Sequence, residues 1–217
     1  MELLRLQIVK RTILIRIVAG AVIAVFVAES WLQNGRPNLS WIKAFSLAVS
    51  VATLALAAWD FWLWRLPLLQ RLPGTPRSVR GTWKGTLTSY WKDPTTGQSP
   101  SPKSVYLVIR QTGTLISVRL MTNESSSASS LATVAEADGS CILTYMYLNT
   151  PELQFEHHSR MHHGSTVLDI SGRPAKRLRG RYWTDRDSKG ELDFIFRTNR
   201  LADDFAEAES FFGAQSV

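Results

Sequence analysis

The sequence lacks the motifs that most covalent and cofactor-dependent chemistries need. One cysteine in 217 residues, Cys141, excludes an intrachain disulfide and fits a reducing compartment. No Gly-x-Ser-x-Gly, Walker or Rossmann pattern joins a predicted strand to a helix. No nucleophile stands out with a base beside it. We therefore predict that the chain is not an enzyme and that it holds no cofactor.

Metal-ligand patterns are also scarce. All four histidines fall in "HHSRMHHG" (157–164), where His158 and His162 are four residues apart. That spacing can bind a metal on a helix, but no cysteine pair or His-Glu-x-x-His pattern accompanies it. The alternative is a solvated loop, and we predict no metal site.

Net charge is absent from most of the chain. Residues 81–217 hold 15 Lys and Arg against 15 Asp and Glu, whereas residues 1–80 hold 10 against three, a net charge of +7. The whole basic excess therefore lies in the first 80 residues. Because binding to a nucleic-acid backbone needs a cationic domain surface, we predict no DNA or RNA polymer as a partner.

Two long apolar runs, 13–32 and 44–64, dominate the N-terminal part. A helix needs about 20 residues to cross ~30 Å of hydrocarbon. We predict a transmembrane hairpin over 1–70 with both termini in the cytoplasm, since Lys and Arg flank its outer ends. A buried hairpin of a soluble protein is the alternative. Asp60, near the end of the second run, either meets headgroup water or pairs between helices.

Beyond a Pro- and Gly-containing linker at 71–80, alternation of apolar and polar residues replaces helical periodicity. Eight short strands with tight turns predict an all-β, up-and-down, lipocalin-like barrel over 81–200, since closure removes exposed strand edges. "GTWKG" opens the first strand as a Gly-x-Trp opens lipocalin-like barrels. A short helix is expected in the tail, 201–217. The predicted strands are 81–91, 103–111, 114–122, 125–136, 140–149, 164–171, 177–185 and 190–197.

In an up-and-down barrel, the ends of odd-numbered strands and the starts of even-numbered strands share one rim. In this sequence that rim collects hydroxyls, aromatic rings, an amide and an arginine. Aromatic faces stack on bases, and hydroxyls and Arg bond phosphates, so the rim suits a small polar ligand with flat rings. The alternative is an ordinary solvated rim. A register slip of one residue would exchange the inner and outer faces.

Four strings in order, "TNESSSAS", "YMYLNTP", "HHGSTVLDI" and "LRGRYWTDRDSKG", follow the two apolar runs. Together they resemble the CBASS (CD-NTase-associated) antiphage effectors that pair two transmembrane helices with a β-barrel. The resemblance implies a cyclic dinucleotide ligand made by a partner nucleotidyltransferase. It also implies oligomerisation on activation, disruption of the bacterial inner membrane through contact with its lipid, and death of the infected cell.

The rim position and the matched strings together give the expected ligand-binding residues. They are Thr122, Glu124, Ser125, Ser127, Tyr145, Tyr147, Asn149, His163, Tyr182, Thr184 and Arg186. Two other functions stay open: a membrane-tethered lipocalin-like carrier of a small apolar ligand, and a membrane-bound hydrolase. The carrier requires an apolar cavity, and the hydrolase requires a cluster of titratable groups.

Overall fold

A computed structural model describes residues 15–25, 27, 28, 31, 40–72, 75–94, 96–137, 139–155 and 160–213. The chain divides into two compact units. Unit 1 comprises Met1–Pro76 with the segment Thr112–Thr114, and unit 2 comprises Arg77–Gln111 with Leu115–Val217.

Unit 1 is helical. Residues 15–25 are helical, and helix α1 spans Ser40–Phe61 and is followed by short 3-10 turns at Leu63–Arg65 and Leu69–Arg71. Buried Trp64 lies just beyond α1, and its indole N–H donates to the Asp60 carbonyl at 3.0 Å. These turns therefore end the helix with its last backbone groups partly satisfied.

The prediction of a multi-pass membrane protein with both termini in the cytoplasm is wrong. Within the described ranges, no helix is both long and apolar enough to cross a membrane. Polar side chains interrupt α1 at Lys43, Ser46, Ser50, Thr53 and Asp60. Part of the predicted first span (13, 14, 26, 29, 30 and 32) and most of the segment between the two predicted spans (33–39) lie outside the described residues.

Asp60 has a partner within unit 1. Its carboxylate accepts a hydrogen bond from Thr114 Oγ1 at 2.8 Å, and its carbonyl accepts one from the Gly113 amide at 2.9 Å. The carboxylate is therefore satisfied by a hydroxyl of its own chain.

Unit 2 confirms the predicted eight-stranded antiparallel barrel. The strands follow one another in space as they do in sequence, and β8 closes onto β1. Predicted and observed strand bounds agree to within about two residues, and one strand, 103–111, agrees at both ends. The strands are β1 Gly81–Ser89, β2 Lys103–Gln111, β3 Ile116–Met121, β4 Ser125–Ala137, β5 Ser140–Pro151, β6 His162–Ser171, β7 Arg177–Thr184 and β8 Lys189–Thr198.

Strand alternation sets the interior. Burial along β5 alternates strictly from Cys141 to Asn149, as expected where one face meets the core and the other meets solvent. The inward side chains of all eight strands form one hydrophobic cluster, which includes Leu107, Leu143 and Phe194.

One end of the barrel is plugged by Trp83 at the start of β1. The Trp83 side chain is fully buried, and its indole N–H donates to the Val79 carbonyl at 2.9 Å. The guanidinium of Arg197 lies 5.1 Å from the Trp83 ring and donates to the Arg80 carbonyl at 2.8 Å. Burial, with a smaller contribution from nearby Arg80, lowers the pKa of Arg197. The cation–π contact and the carbonyl bonds compensate for burying this charge.

The chain after β8 covers the outside of β2. Helix α2 spans Phe205–Ser210, and the Asp204 carboxylate caps it by accepting from the Glu207 amide at 2.7 Å. Phe212 stacks on the outward ring of Tyr106 at 5.8 Å. This small second core keeps the apolar outer face of β2 out of water.

We expect Trp83→Ala to lower the free energy of unfolding of the full chain by about 3–5 kcal/mol, because it empties a filled end of the barrel. Urea unfolding followed by circular dichroism measures this. The matched control is Trp183→Ala, whose side chain is outward and 48% exposed, with an expected loss of less than about 1 kcal/mol. Equal losses for the two variants would show that Trp83 does not plug the barrel.

Candidate functional site

The barrel holds a cavity of about 360 Å³ at the end opposite Trp83. Each of the eight strands contributes a lining side chain: Leu87, Lys103, Leu120, Ser127, Tyr147, Thr166, Tyr182 and Leu192. Leucines and tyrosine rings supply its apolar surface, and hydroxyls, an amide and one ion pair supply its polar groups. The volume lies in the range of small-molecule sites.

Eight of the eleven predicted site residues line this cavity. They are Thr122, Glu124, Ser125, Ser127, Tyr147, Asn149, Tyr182 and Thr184. Cross-strand pairing brings them together, since Ser127 is the register partner of Leu120 on one side and Asn149 on the other. Tyr145, His163 and Arg186 do not line the cavity.

Tyr145 lies deeper than predicted. Its side chain is only 2% exposed, and it belongs to the hydrophobic cluster beside Tyr147. Burial raises the pKa of Tyr145 to about 12, and the neighbouring Thr166 hydroxyl offsets part of this rise. Among the described residues, neither the Tyr145 hydroxyl nor the Thr166 hydroxyl has a hydrogen-bond partner.

His162 lines the cavity, in place of the predicted His163. Strand β6 begins at His162, two residues before the predicted start, and its alternation places His162 at the cavity and His163 on the outer face. The ring Nδ1 of His162 lies 3.0 Å from the Arg160 carbonyl, and the His163 backbone N–H donates to Asp185 Oδ2 at 3.1 Å. His158 lies outside the described residues.

Arg186 lies on the exposed β7–β8 turn. Its guanidinium donates to the Arg160 carbonyl at 3.2 Å, and its backbone N–H donates to Thr184 Oγ1 at 3.2 Å. The arginine therefore links two loops beside the cavity instead of entering it.

Two glycines hold the tyrosine rings against the wall. Gly164 is the register partner of Tyr147, and a Cβ at Gly164 would lie 2.4 Å from the Tyr147 ring. Gly190 pairs with Tyr182 in the same way, with the corresponding distance 2.6 Å. Each ring thus lies flat over a neighbouring strand, which is the packing that glycine permits opposite an aromatic residue. Both rings line the same cavity.

Burial is the main cause of a raised pKa at both lining tyrosines. It raises the pKa of Tyr147, and Tyr145, Tyr182 and Asp185 add to that rise. It also raises the pKa of Tyr182, against a hydrogen bond with Ser89 that lowers it. At neutral pH both lining tyrosines therefore carry uncharged hydroxyls.

A tight turn between β3 and β4 fixes one side of the mouth. Thr122 Oγ1 accepts from the backbone amides of Glu124 and Ser125, at 3.1 and 2.9 Å. The Glu124 carboxylate accepts from Lys103 Nζ through both oxygens, at 2.7 and 2.6 Å. The serine-rich string that begins here is thus a structured turn followed by a strand.

Two buried hydroxyls on the cavity wall have no hydrogen-bond partner among the described residues: Ser127 Oγ and Thr166 Oγ1. Both side chains are at least nine-tenths buried. Because an unpaired buried hydroxyl is costly, such groups on a cavity wall are ready to bond a ligand.

Sequence reasoning missed several lining residues, notably Lys103, Ser101 and Thr166. Lys103 begins β2, so the rim rule that selected the others would have selected it. Ser101 belongs to the loop before β2, whose path no strand pattern specifies. Thr166 lies deeper on β6, between its register partners Tyr145 and Tyr182, so a rule that selects only strand ends passes over it.

A closed antiparallel barrel, filled at one end and holding a polar cavity at the other, defines a small-ligand receptor of the up-and-down barrel class. Residues 75–195 match the family described as Cap15, cyclic dinucleotide receptor domain. This match covers more than half of the chain, and the chain belongs to that family. The resemblance to CBASS effectors is therefore confirmed, and the family is one of receptors, not a known family of enzymes.

A curated relative is similar over most of the chain. CD-NTase-associated protein 15 from Staphylococcus schleiferi is 27% identical over 155 residues, which cover 71% of this chain and 80% of the relative.

We expect the free energy of unfolding to fall above about pH 10, partly through Tyr145. The pKa of this phenol is about 10 in the unfolded chain and is raised to about 12 on folding. The protonated phenol therefore stabilises the fold fully below pH 10, and this contribution is lost as the pH rises towards 12. Tyr145→Phe should reduce the loss of unfolding free energy between pH 8 and pH 11 by about 1 kcal/mol. Urea unfolding at both pH values measures it. Tyr90→Phe, at an exposed ring, is the control, and equal pH dependence in both variants would refute burial of the Tyr145 hydroxyl.

Proposed function

We propose that the chain is a CBASS effector that binds its cyclic dinucleotide in the cavity of unit 2. The observation that carries this proposal is one cavity lined by two aromatic rings, several hydroxyls, an amide and a lysine, inside a domain of the Cap15 receptor family. Such a set matches a ligand with two bases and two phosphates. A carrier of an apolar ligand fits less well, because polar groups line the mouth.

The tyrosine rings provide the base-binding surfaces. Tyr147 and Tyr182 lie flat against the wall, so each offers a face on which a base stacks, an interaction worth about 1–3 kcal/mol per base. The Asn149 amide has both donors and acceptors for a base edge. For Tyr145, His163 and Arg186, a role in binding stays a prediction.

The hydroxyls and Lys103 provide donors for the phosphates. Ser127 and Thr166 offer buried hydroxyls without partners among the described residues, and Lys103 offers an ammonium at the mouth. A neutral site with a few well-placed donors holds a phosphodiester because each charge-assisted hydrogen bond is roughly twice as strong as a neutral one.

We also propose that the bound ligand drives oligomerisation of the chain, with membrane disruption as the output and without catalysis. The supporting feature is α1 of unit 1, where apolar side chains such as Phe45, Leu47 and Leu54 are more than half exposed. Exposed apolar clusters of this kind associate with one another or with lipid. Ligand can shift such an equilibrium only by binding the assembled state more tightly than the unassembled one.

Calorimetry of the full chain against a panel of cyclic dinucleotides tests the binding proposal. Ser127→Leu should weaken binding at least about tenfold, because a leucine at this position fills the cavity. Ser130→Leu on the outer face of the same strand is the matched control and should bind like the wild type. The proposal fails if no cyclic dinucleotide binds the wild-type chain, or if both variants bind equally well.

Light scattering and dye release test the output. Adding the cyclic dinucleotide that binds in calorimetry should raise the molar mass of the assembly formed by the full chain. It should also release dye from phospholipid vesicles that contain the chain. Ser127→Leu should do neither. If the wild-type chain assembles to the same molar mass with and without ligand, the ligand does not drive oligomerisation.

A further inference from the structure

The charges in the cavity nearly cancel. Among the described lining residues, Lys103 and Glu124 are the only Lys, Arg, Asp or Glu side chains, and they bind each other through both carboxylate oxygens. A site for a doubly negative ligand would be expected to carry an excess of cations. The presence of a carboxylate at its mouth therefore needs a separate explanation.

Backbone hydrogen bonds hold Glu124 at the mouth of the cavity. The Glu124 amide donates to Thr122 Oγ1 at 3.1 Å, and the Glu124 carbonyl accepts from the Glu152 amide at 2.9 Å. The Lys103 ammonium, in contrast, lies at the end of a long flexible side chain. An arriving anion can therefore draw the ammonium towards itself, but the negative charge of Glu124 stays at the mouth.

The pair is partly solvated, so it does not serve mainly to stabilise the fold. The Lys103 and Glu124 side chains are 38% and 36% exposed, and ion pairs with this exposure contribute little to stability. Their effect on an entering charge is larger, since that charge is brought close to both groups in a partly desolvated site.

Phosphate chemistry distinguishes the cyclic ligand from common nucleotides. A phosphodiester in a cyclic dinucleotide carries about one negative charge, whereas a terminal phosphate monoester carries about −1.5 to −2 at pH 7. Lys103 can balance one phosphodiester while Glu124 stays in place. A terminal phosphate or a polyphosphate leaves uncompensated negative charge facing Glu124.

We propose that Glu124 is a selectivity residue that rejects nucleotides bearing terminal phosphates, both linear dinucleotides and nucleoside triphosphates. This inference rests on the proposed function of the same cavity. It is specificity by repulsion, in which a group that adds no affinity for the correct ligand penalises the wrong one. A receptor that triggers cell death needs such a device because nucleoside triphosphates would otherwise compete for the same stacking surfaces.

The test measures the affinity of the full chain for three ligands: its tightest-binding cyclic dinucleotide, the linear 5′-phosphorylated dinucleotide with the same bases, and ATP. Glu124→Gln keeps the backbone hydrogen bonds of the turn and removes the charge. It should raise affinity for the linear dinucleotide and for ATP, relative to the cyclic ligand, by at least about tenfold. Lys103→Gln should act in the opposite direction and widen the preference for the cyclic ligand.

The control is Glu191→Gln, which removes the same charge on the outer face of β8, where Glu191 pairs with Arg179 at 3.6 Å. It should leave the ligand ratio unchanged within about twofold, and thermal melting confirms that each variant is folded. Relative affinities in Glu124→Gln that match the wild type would overturn the inference. So would loss of cyclic-ligand binding without a gain for the linear ligand, since Glu124 would then contact the cyclic ligand directly. Failure of the wild-type chain to bind any cyclic dinucleotide overturns the proposed function itself.

Discussion

Closure of β8 onto β1 is the constraint on which the rest of unit 2 depends. Once the ring is closed, every second side chain of each strand must point into one interior, whatever its chemistry. The sequence satisfies this constraint with large apolar groups at one end, where Trp83 and Phe194 are fully buried. At the other end it places small hydroxyls such as Ser127 and Thr166. The cavity is the volume that these small side chains leave unfilled.

The two ends therefore have different tasks. Around Trp83, Arg197 donates to the carbonyls of Arg80 and Ala175, and so ties the chain entering the barrel to the turn between β6 and β7. Around the cavity, the rings of Tyr147 and Tyr182 are positioned by glycines on adjacent strands. A rigid closed end thus supports an open end whose polar groups are still available to a ligand.

Much of the barrel could be predicted from the sequence because period-two alternation and turn residues are local signals. They located all eight strands and, through the up-and-down order, the rim that carries most of the cavity lining. They could not set the depth of Tyr145 or the inward face of β6, since one residue of register decides both. Lys103 and Glu124 lie three residues beyond the last paired residues of β2 and β3, Tyr106 and Met121, in the same register. Predicting that they meet requires the exact register of this hairpin, which alternation of apolar and polar residues does not set. The apolar runs of the N-terminal part indicated spanning helices, whereas no helix within the described ranges is long and apolar enough to cross a membrane.

We propose that the cyclic dinucleotide binds inside the barrel and not on its outer surface. The most direct measurement is a crystal structure of the chain with its tightest-binding cyclic dinucleotide. We expect electron density for the ligand between Tyr147 and Tyr182, with a phosphate near Lys103. Density instead in the outer groove lined by Lys84 and Arg179, with the interior cavity unchanged, would contradict it.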